Sequence, residues 1–486
     1  MTHCRDAKFC VPTMRVYDNR MNHIGVIGLG TMGANLARNA ARNGASVSVY
    51  NRTTEKTDAF MQAHQSEGTF VACHTLEEVI ASLPAPRAIL LMVKAGSAVD
   101  DIIAELLPHL SKDDILIDGG NSHYRETERR EKELAKKSLH FIGMGVSGGE
   151  EGALLGPSMM PGGTKEAVEL MMPLLQKMAA SDGDGGRCVT YVGPGGAGHF
   201  VKMVHNGIEY ALMQILAESY DLLKNQAKLS NNELAILFDH WNTDAYLQSL
   251  LIEITAQIFR TKGDDGEWVI DRIIDKAGQK GTGKWTTEAA MDFGVAIPSI
   301  NAAVDARILS GSAWRTTSLG LPSEELASAL KKQEWLGGSK SAITLSFTSA
   351  YEQGFSLIHA ASAAELWHCD LSDIARIWRG GCIIRSALLP LWQHMYGADA
   401  GASKASMEHM LALYTGERQE QWRVIIAEAI KTGTPVPAMS ASLSYYDTLR
   451  RPQLPQNLIQ AQRDFFGAHQ VEMRGKEGMV HVEWNS

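Results

Sequence analysis

Residues 23–33, HIGVIGLGTMG, run a short apolar stretch into Gly28, Gly30 and Gly33, and Ala34 to Asn43 after them has helical character. G-x-G-x-x-G between a strand and a helix lets backbone N–H groups approach a pyrophosphate at the helix amino terminus, with no side chains in the way. A second strand is expected at Val47 to Tyr50. At such a strand's end, about 20 residues past the glycines, an NAD enzyme sets Asp or Glu against the ribose 2′-hydroxyl. Here the residues are Asn51, Arg52 and Thr53. A carboxylate repels a 2′-phosphate and a guanidinium pairs with one, so NADP is the expected dinucleotide, with Arg52 as the discriminator.

Working outward, strands are expected at Ala88 to Val93, Ile115 to Asp118, Phe141 to Met144 and Val189 to Val192, with helical stretches between most of them. Alternation of β and α predicts a mostly parallel sheet with ligands at the strand carboxyl ends. Those ends carry small and polar residues: Val93-Lys94-Ala95-Gly96, Asp118-Gly119-Gly120-Asn121-Ser122 and Gly145-Val146-Ser147-Gly148-Gly149. Any one of these turns reads as a tight loop, but together they read as a site. From His199 the pattern becomes helical, as in Val201 to Asn225, Asn232 to Phe238, Ala245 to Phe259, Ser346 to Trp367 and Gln419 to Lys431. The expected organisation is an extension at 1–22, an α/β Rossmann-like dinucleotide-binding domain at 23–197, a large all-α domain at 198–451 and a C-terminal tail at 452–486. The hinge falls at GPGGAG, residues 193–198.

With 486 residues the chain is too long for one ordinary core. A net charge of -9 argues against nucleic-acid or anionic-membrane partners, and no apolar run reaches the roughly 18 to 20 residues that span a bilayer. Cysteines at 4, 10, 73, 188, 369 and 382 form no C-x-x-C pair, which points to reduced cytosol without a disulfide framework or zinc site. Residues 1–22 lack the apolar core of a signal peptide, so a cytoplasmic location is expected.

The stretch Gly195 to Tyr210, GGAGHFVKMVHNGIEY, places Lys202, His205, Asn206 and Glu209 at i, i+3, i+4 and i+7, one stripe of a helix about 100° wide. A polar stripe alone reads as a wet helix face. His, Asn and a mid-helix Gly207 are mediocre helix formers, however, and their presence suits a stripe that closely faces a ligand. This stretch resembles the catalytic helix of the 6-phosphogluconate dehydrogenase family, NADP-dependent oxidative decarboxylases of the pentose phosphate and gluconate-utilisation routes, and the similarity covers nearly the whole chain. The resemblance implies a cofactor cleft of Gly28, Leu29, Gly30, Met32, Gly33, Asn51, Arg52, Thr53, Val93, Lys94, Ala95 and Asn121. It also implies a substrate site of Asn121, Ser147, Gly148, Gly149, His205, Asn206, Tyr210, Lys280, Thr282 and Arg307, completed by Arg463 and His469 from the tail of a homodimer partner.

Gly278 to Trp285, GQKGTGKW, nearly matches a P-loop, but Trp285 stands where Ser or Thr would hold magnesium. The preceding VIDRIIDKA also reads as an amphipathic helix where a P-loop needs a strand. Phosphate contact by Lys280 and Thr282 survives that failure, because backbone amides and a cation suit a phosphate in either context. Around Arg307 the chain departs from the family pattern, with Asp305 before it and Ala313-Trp314 after. The tail opens with prolines at 452 and 455 and continues NLIQAQRDFFGAH; on its own residues it is either a helix docked on its own subunit or an arm leaving it.

Oxidising the alcohol of a β-hydroxy acid to a ketone sets the carboxylate β to an electron sink, so CO2 can leave. Lys202 is the expected base for the hydroxyl proton and then the acid that returns it to the carbonyl oxygen. Glu209 is expected to protonate the enediol carbon, Asn206 to bond the reacting hydroxyl, and His205 to help hold the substrate. No metal is expected. Two rivals remain: a shorter β-hydroxyacid dehydrogenase, such as one acting on 3-hydroxyisobutyrate, and a non-catalytic nucleotide sensor on the same scaffold.

Overall fold

The computed structural model describes residues 22–316 and 328–484, so the expected 1–22 extension falls outside it but for Asn22. Seven strands form one sheet: β1 His23–Ile27, β2 Ser46–Tyr50, β3 Thr69–Cys73, β4 Ala88–Leu91, β5 Ile115–Asp118, β6 His140–Ser147 and β7 Ser158–Gly163. Their order is β3-β2-β1-β4-β5-β6-β7. Pairing is parallel throughout except at β6 with β7. Between the strands run α1 Thr31–Arg42, α2 Thr54–His64, α3 Leu76–Ser82, α4 Ser97–Leu106, α5 Tyr124–Ala135, α6 Gly149–Leu155 and α7 Lys165–Met178. Val26, Val47, Val49, Ile89, Ile115 and Leu116 are fully buried, as a sheet covered on both faces requires.

Three expectations about the sheet need correction. The edge strand β3, TFVAC, has its first four positions alternately exposed and half-buried, and its apolar run is too short to stand out. β7, SMMPGG, contains Pro161 and two glycines that argue against a strand. Pro is tolerated there because β7 is the last strand of the sheet, and on the side away from β6 it meets the irregular segment 188–193, where the Pro161 carbonyl accepts from the Val192 N–H. Val189 to Val192 is not a strand at all: Val189 makes one isolated bridge to Met159, and the rest is the connection to the hinge.

The chain then turns helical: α8 Ala197–Asp221, extended by a π turn at Leu222–Gln226, α9 Asn231–Trp241, α10 Leu250–Arg260, α11 Thr282–Asp292, α12 Pro298–Ser310, α13 Ala313–Thr316 and α14 Lys332–Ala364. After these come α15 Leu371–Ile377, α16 Leu389–Met395, α17 Ala400–Leu413, α18 Gly416–Lys431, α19 Pro437–Arg450 and α20 Gln456–Gly467, then a two-residue hairpin of β8 Val471–Glu472 and β9 Met479–Val480. At 33 residues α14 is the axle, and it packs on α8, α18 and α19. It starts well before Ser346 because Gly338 brings it onto α18, where an added Cβ would sit 2.0 Å from Ile425 Cγ1.

Two helical expectations fail. Residues 245–249 precede the helix, which begins only where Ser249 caps it by accepting from the Ile252 N–H. VIDRIIDKA yields a single turn, Val269–Arg272; Ile270 packs against the helical core, but Ile273 and Ile274 are left 61% and 72% exposed. Among the described residues no helix is long and apolar enough to cross a membrane, and Cys73, Cys188, Cys369 and Cys382 are free thiols.

Candidate active site

The glycine turn after β1 is shaped by close contacts on two sides and open space on the third. Gly28 has φ +100°, and a Cβ there would lie 2.5 Å from the Met92 carbonyl oxygen; a Cβ on Gly33 would lie 1.9 Å from the Gly28 oxygen. On Gly30, the N-cap of α1, a Cβ would meet nothing within 4 Å. The amino end of α1, whose first N–H groups have no partner within the helix, therefore faces open space, the setting in which a helix terminus takes a phosphate. Asn51 fixes the turn to the end of β2: its Oδ1 accepts from the Leu29 N–H at 3.0 Å while its own N–H donates to Thr57 Oγ1 at 3.0 Å. Arg52 and Thr53 are exposed on the loop that follows, as are Lys94 after β4 and Asn121 after β5, while Met32, Val93 and Ala95 are half-buried.

Helix α8 lies directly on the carboxyl-terminal half of β6 because small residues let it. A Cβ on Gly145 would meet Lys202 Cβ at 2.4 Å, and one on Gly198 would meet the Gly143 oxygen at 2.1 Å. The polar stripe is accordingly not a wet face. Lys202 is 6% exposed and His205 fully buried. Lys202 Nζ is 3.3 Å from His205 Nδ1, which also lies 3.1 Å from Asn206 Oδ1, and His205 Nε2 is 3.1 Å from Ser147 Oγ. Glu209, one turn further along, brings a carboxylate oxygen to 4.0 Å from His205 Nδ1. Ser147, Gly148 and Gly149 enter this group at the end of β6, the two glycines at φ +130° and +64°.

Burial sets the electrostatics. It draws the Lys202 ammonium down to about 8, against the opposing pull of Glu209. His205 is held well below its ordinary value by burial and then by the neighbouring Lys202, so it is neutral. Burial raises Glu209, opposed by Lys202 and Arg307. A buried amine, a neutral imidazole and a carboxyl with a raised pKa form one continuous group able to take up and return protons.

One expectation about α8 is overturned. Gly207 does not face a ligand: a Cβ there would meet Thr286 Cγ2 at 2.6 Å, and Thr286 Oγ1 donates to the Met203 carbonyl at 3.0 Å. The glycine serves the crossing of α8 with α11.

Beyond Glu209 the site becomes more open. Arg307 stacks on the Tyr210 ring at 3.4 Å and donates to the Gly278 carbonyl at 3.3 Å. Gly281 takes φ +95° to start α11, which buries Thr282 at its first turn, and Gly283 presses on the Tyr210 ring. Lys280 is exposed. Arg463 and His469 are exposed too, and among the described residues no hydrogen bond or ion pair joins either to the rest of the site; Arg463 bonds Gln460 within the tail. Asp464 gathers the tail, accepting from the N–H groups of Gln470 and Val482 and from Trp484 Nε1. Leu458, Ile459, Phe465 and Phe466 are left 55–73% exposed.

Sequence reading missed Trp378, whose ring lies 5.7 Å from that of His205, and the Ile383 N–H, 3.5 Å from Ser147 Oγ. Neither carries a local signal, since both arrive from more than 170 residues downstream. His199 was also passed over, although its position three before Lys202 puts it on the same face of α8. No group of three His, Cys, Asp or Glu among the described residues could hold a metal ion.

Comparison with known proteins adds to this geometry. A family model described as the NAD binding domain of 6-phosphogluconate dehydrogenase matches residues 23–193, and one described as the 6-phosphogluconate dehydrogenase C-terminal domain matches residues 198–484. The decarboxylating 6-phosphogluconate dehydrogenase of Synechococcus elongatus is 49% identical over 470 residues, 96% of this chain and 99% of its own. The NADP(+)-dependent, decarboxylating enzyme of Bacillus subtilis is 50% identical over 465 residues, 95% and 98% of the two chains. A solved structure of Plasmodium falciparum 6-phosphogluconate dehydrogenase, described in its apo form and in complex with NADP+ and with 6-phosphogluconate, matches at a TM-score of 0.87 and 39% identity, covering 95% of this chain and all of that one.

Proposed function

This chain belongs to the 6-phosphogluconate dehydrogenase family, and from that premise we propose that it converts 6-phosphogluconate to ribulose 5-phosphate and CO2 with reduction of NADP. The observation that carries the reading is the Lys202 amine, buried at the end of β6 beside Ser147 and His205, with its pKa drawn to about 8. At that value a usable fraction is neutral near pH 7, where a free lysine is almost wholly charged.

Lys202 takes the proton of the substrate's 3-hydroxyl as the carbon gives up its hydride. NADP, when bound in the cleft above Gly30, supplies the hydride acceptor. The protonated Lys202 then returns the proton to the new carbonyl oxygen while the C–C bond to the carboxylate breaks and its electrons form the enediol. Glu209 protonates the enediol carbon, its raised pKa keeping that proton available, while the hydroxyl that Lys202 had protonated gives its proton back to the neutral Lys202 as the ketone of the product forms. Asn206 bonds the reacting hydroxyl, and His205, neutral, orients the substrate together with the turn Ser147 to Gly149 and Asn121. Lys280, Thr282 and Arg307 hold the phosphate, with Tyr210 backing the guanidinium. Arg52 takes the 2′-phosphate of the dinucleotide, and Lys94 adds positive charge near it.

The same reading divides the chain at 23–197, 198–451 and 452–486 and makes it a cytoplasmic homodimer in which the tail crosses to the partner. The phenylalanines on α20 support that crossing, because Phe465 and Phe466 stay 58% and 73% exposed against the described residues of their own subunit. The test is NADPH formation on adding 6-phosphogluconate, with NADP and NAD assayed side by side and CO2 measured. Equal use of a non-phosphorylated β-hydroxy acid, or no competition from inorganic phosphate, returns the shorter β-hydroxyacid dehydrogenase as the better account. Binding of NADPH without any turnover returns the sensor.

A further inference from the structure

A chain of buried polar contacts runs behind the site, touching none of the residues assigned to substrate. Arg130 on α5 is 1% exposed and donates to both carboxylate oxygens of Asp100, at 2.9 Å each, and to the Gly96 carbonyl at 3.0 Å. Its remaining nitrogen, Nη1, lies 3.7 Å from Asp118 Oδ2. Asp118, equally buried at the end of β5, accepts from the Gly120 N–H at 3.0 Å and the Ser122 hydroxyl at 2.6 Å. Those two bonds define the turn that presents Asn121.

From the Asp118 carbonyl the chain continues to α8. His199 Nε2 lies 3.1 Å from that oxygen, and His199 Nδ1 lies 2.6 Å from Thr127 Oγ1. A carbonyl only accepts, so Nε2 carries the hydrogen; Nδ1 must then accept, and the Thr127 hydroxyl donates. The tautomer is fixed from both sides, and burial keeps the ring neutral. Three residues on, on the same face of the helix, stands Lys202.

We propose that His199 is a positioning residue for hydride transfer: its bond to Asp118 sets the separation between the turn bearing Asn121 and the helix bearing Lys202. The inference rests on the dehydrogenase reading above. The reaction needs the substrate carbon held between groups from the sheet and groups from α8, and this bond ties the two together at the buried end of the crevice. Arg130 extends the same tie to the Gly96 turn, so both turns that face the dinucleotide share one anchor with the catalytic helix.

The test compares His199→Met, which loses both ring bonds, with His199→Gln, whose amide nitrogen reaches the Nε2 position and can still donate to Asp118. Two quantities are read: NADPH affinity from quenching of tryptophan fluorescence, and the single-turnover rate of NADPH formation. Expected for His199→Met is an NADPH Kd within about threefold of wild type and a single-turnover rate lower by roughly 10²-fold, the scale set by a misplacement near 1 Å. His199→Gln should recover most of the rate, and a simple packing role would not produce that recovery. Thr127→Val, nearly isosteric, decides the matter if His199→Met does not fold; loss of one of the two bonds that orient the ring should slow the step about fivefold, the worth of one neutral hydrogen bond. Rates within about threefold of wild type for His199→Met, or equal losses in His199→Met and His199→Gln, overturn the proposal. So does an unchanged rate in Thr127→Val. A wild-type protein unable to reduce NADP with 6-phosphogluconate sinks the functional reading itself, whereas an active wild type with indifferent variants sinks only the role of His199.

Discussion

The two ends of the site are built differently. Around Lys202 everything is prefabricated in one chain: amine, imidazole and Ser147 hydroxyl are buried, within 3.3 Å of their neighbours, and seated by glycines that allow helix and sheet to touch. At the other end Lys280, Arg463 and His469 are exposed, and the two tail residues have no bond to the rest of the site among the described residues. Proton transfer needs a shifted pKa, which only burial can provide, so that end must be complete before substrate arrives. An anion needs only charge brought together. In the proposed dimer, that can be left to the substrate and the second subunit.

The largest effect belongs to the buried end. Lys202→Met removes the group proposed for successive proton transfers and should lower kcat roughly 10³-fold, measured as NADPH formation at saturating substrate with the fold checked by circular dichroism. Near-normal turnover in this variant would remove the base from the mechanism.

Next comes the open end. Arg463→Ala should raise KM for 6-phosphogluconate about 10- to 100-fold, the worth of a charge-assisted bond to phosphate, with a much smaller change in kcat. Whether the chain is a dimer whose tail acts across it can be read by co-expressing Arg463→Ala with Lys202→Met. A mixed dimer would then hold one site with both defects and one with neither. At limiting substrate, random pairing should restore about a quarter of wild-type activity. If activity stays at the average of the two parents, the tail serves its own subunit and the contrast between a one-chain end and a two-chain end is wrong.

What could be read from the amino-acid order follows the same division. The turn at Gly28 to Gly33, the Lys202 to Glu209 stripe and most of the sheet carry their own local spacing, and the structure has them where that spacing puts them. Local rules failed where a distant neighbour decides. Pro161 sits in a strand because no further strand pairs beyond β7, and Gly207 is there for Thr286, 79 residues later. Ile273 and Ile274 made a convincing amphipathic pattern, yet both stay exposed among the described residues. His199 looked like one more residue on the way to Lys202, since its partners Thr127 and Asp118 lie more than 70 positions upstream.

A smaller effect, graded with pH, tests whether burial really tunes the amine. The folded value for Lys202, about 8, lies below the ordinary 10.5, so in the folded protein the neutral base persists to lower pH. Below that value kcat/KM should fall about tenfold per pH unit. Glu209 pulls the pKa upward, so Glu209→Gln should move this acid limb to lower pH. A limb near the free-lysine value, or one that Glu209→Gln shifts the other way, would contradict the assignment. The sign for stability follows from the same shift: between about pH 8 and 10.5 the unfolded chain binds more protons than the folded one, so this group makes stability rise with pH there. At pH 7 the buried charge costs on the order of 3 kcal/mol, and the inactive Lys202→Met should melt above wild type.

The smallest change asks whether α8 is glycine-bearing for ligand or for packing. Gly207→Ala puts a methyl group 2.6 Å from Thr286 Cγ2, too close for any real Cβ contact, and Ala is otherwise the better helix former. Overpacking of this kind costs about 1–3 kcal/mol and should outweigh the helical gain of about 1 kcal/mol. The variant is therefore expected to unfold at lower urea than wild type while its KM for 6-phosphogluconate stays within about twofold. Pairing it with Thr286→Ser, which keeps the hydroxyl bonded to Met203 but deletes the colliding methyl, should recover part of the stability, since Oγ and Cβ of residue 286 stay 3.0 and 3.1 Å from the added Cβ. A raised KM with unchanged stability would return Gly207 to the ligand-facing stripe and shift the boundary between the buried and the open ends of the site by a full turn of helix.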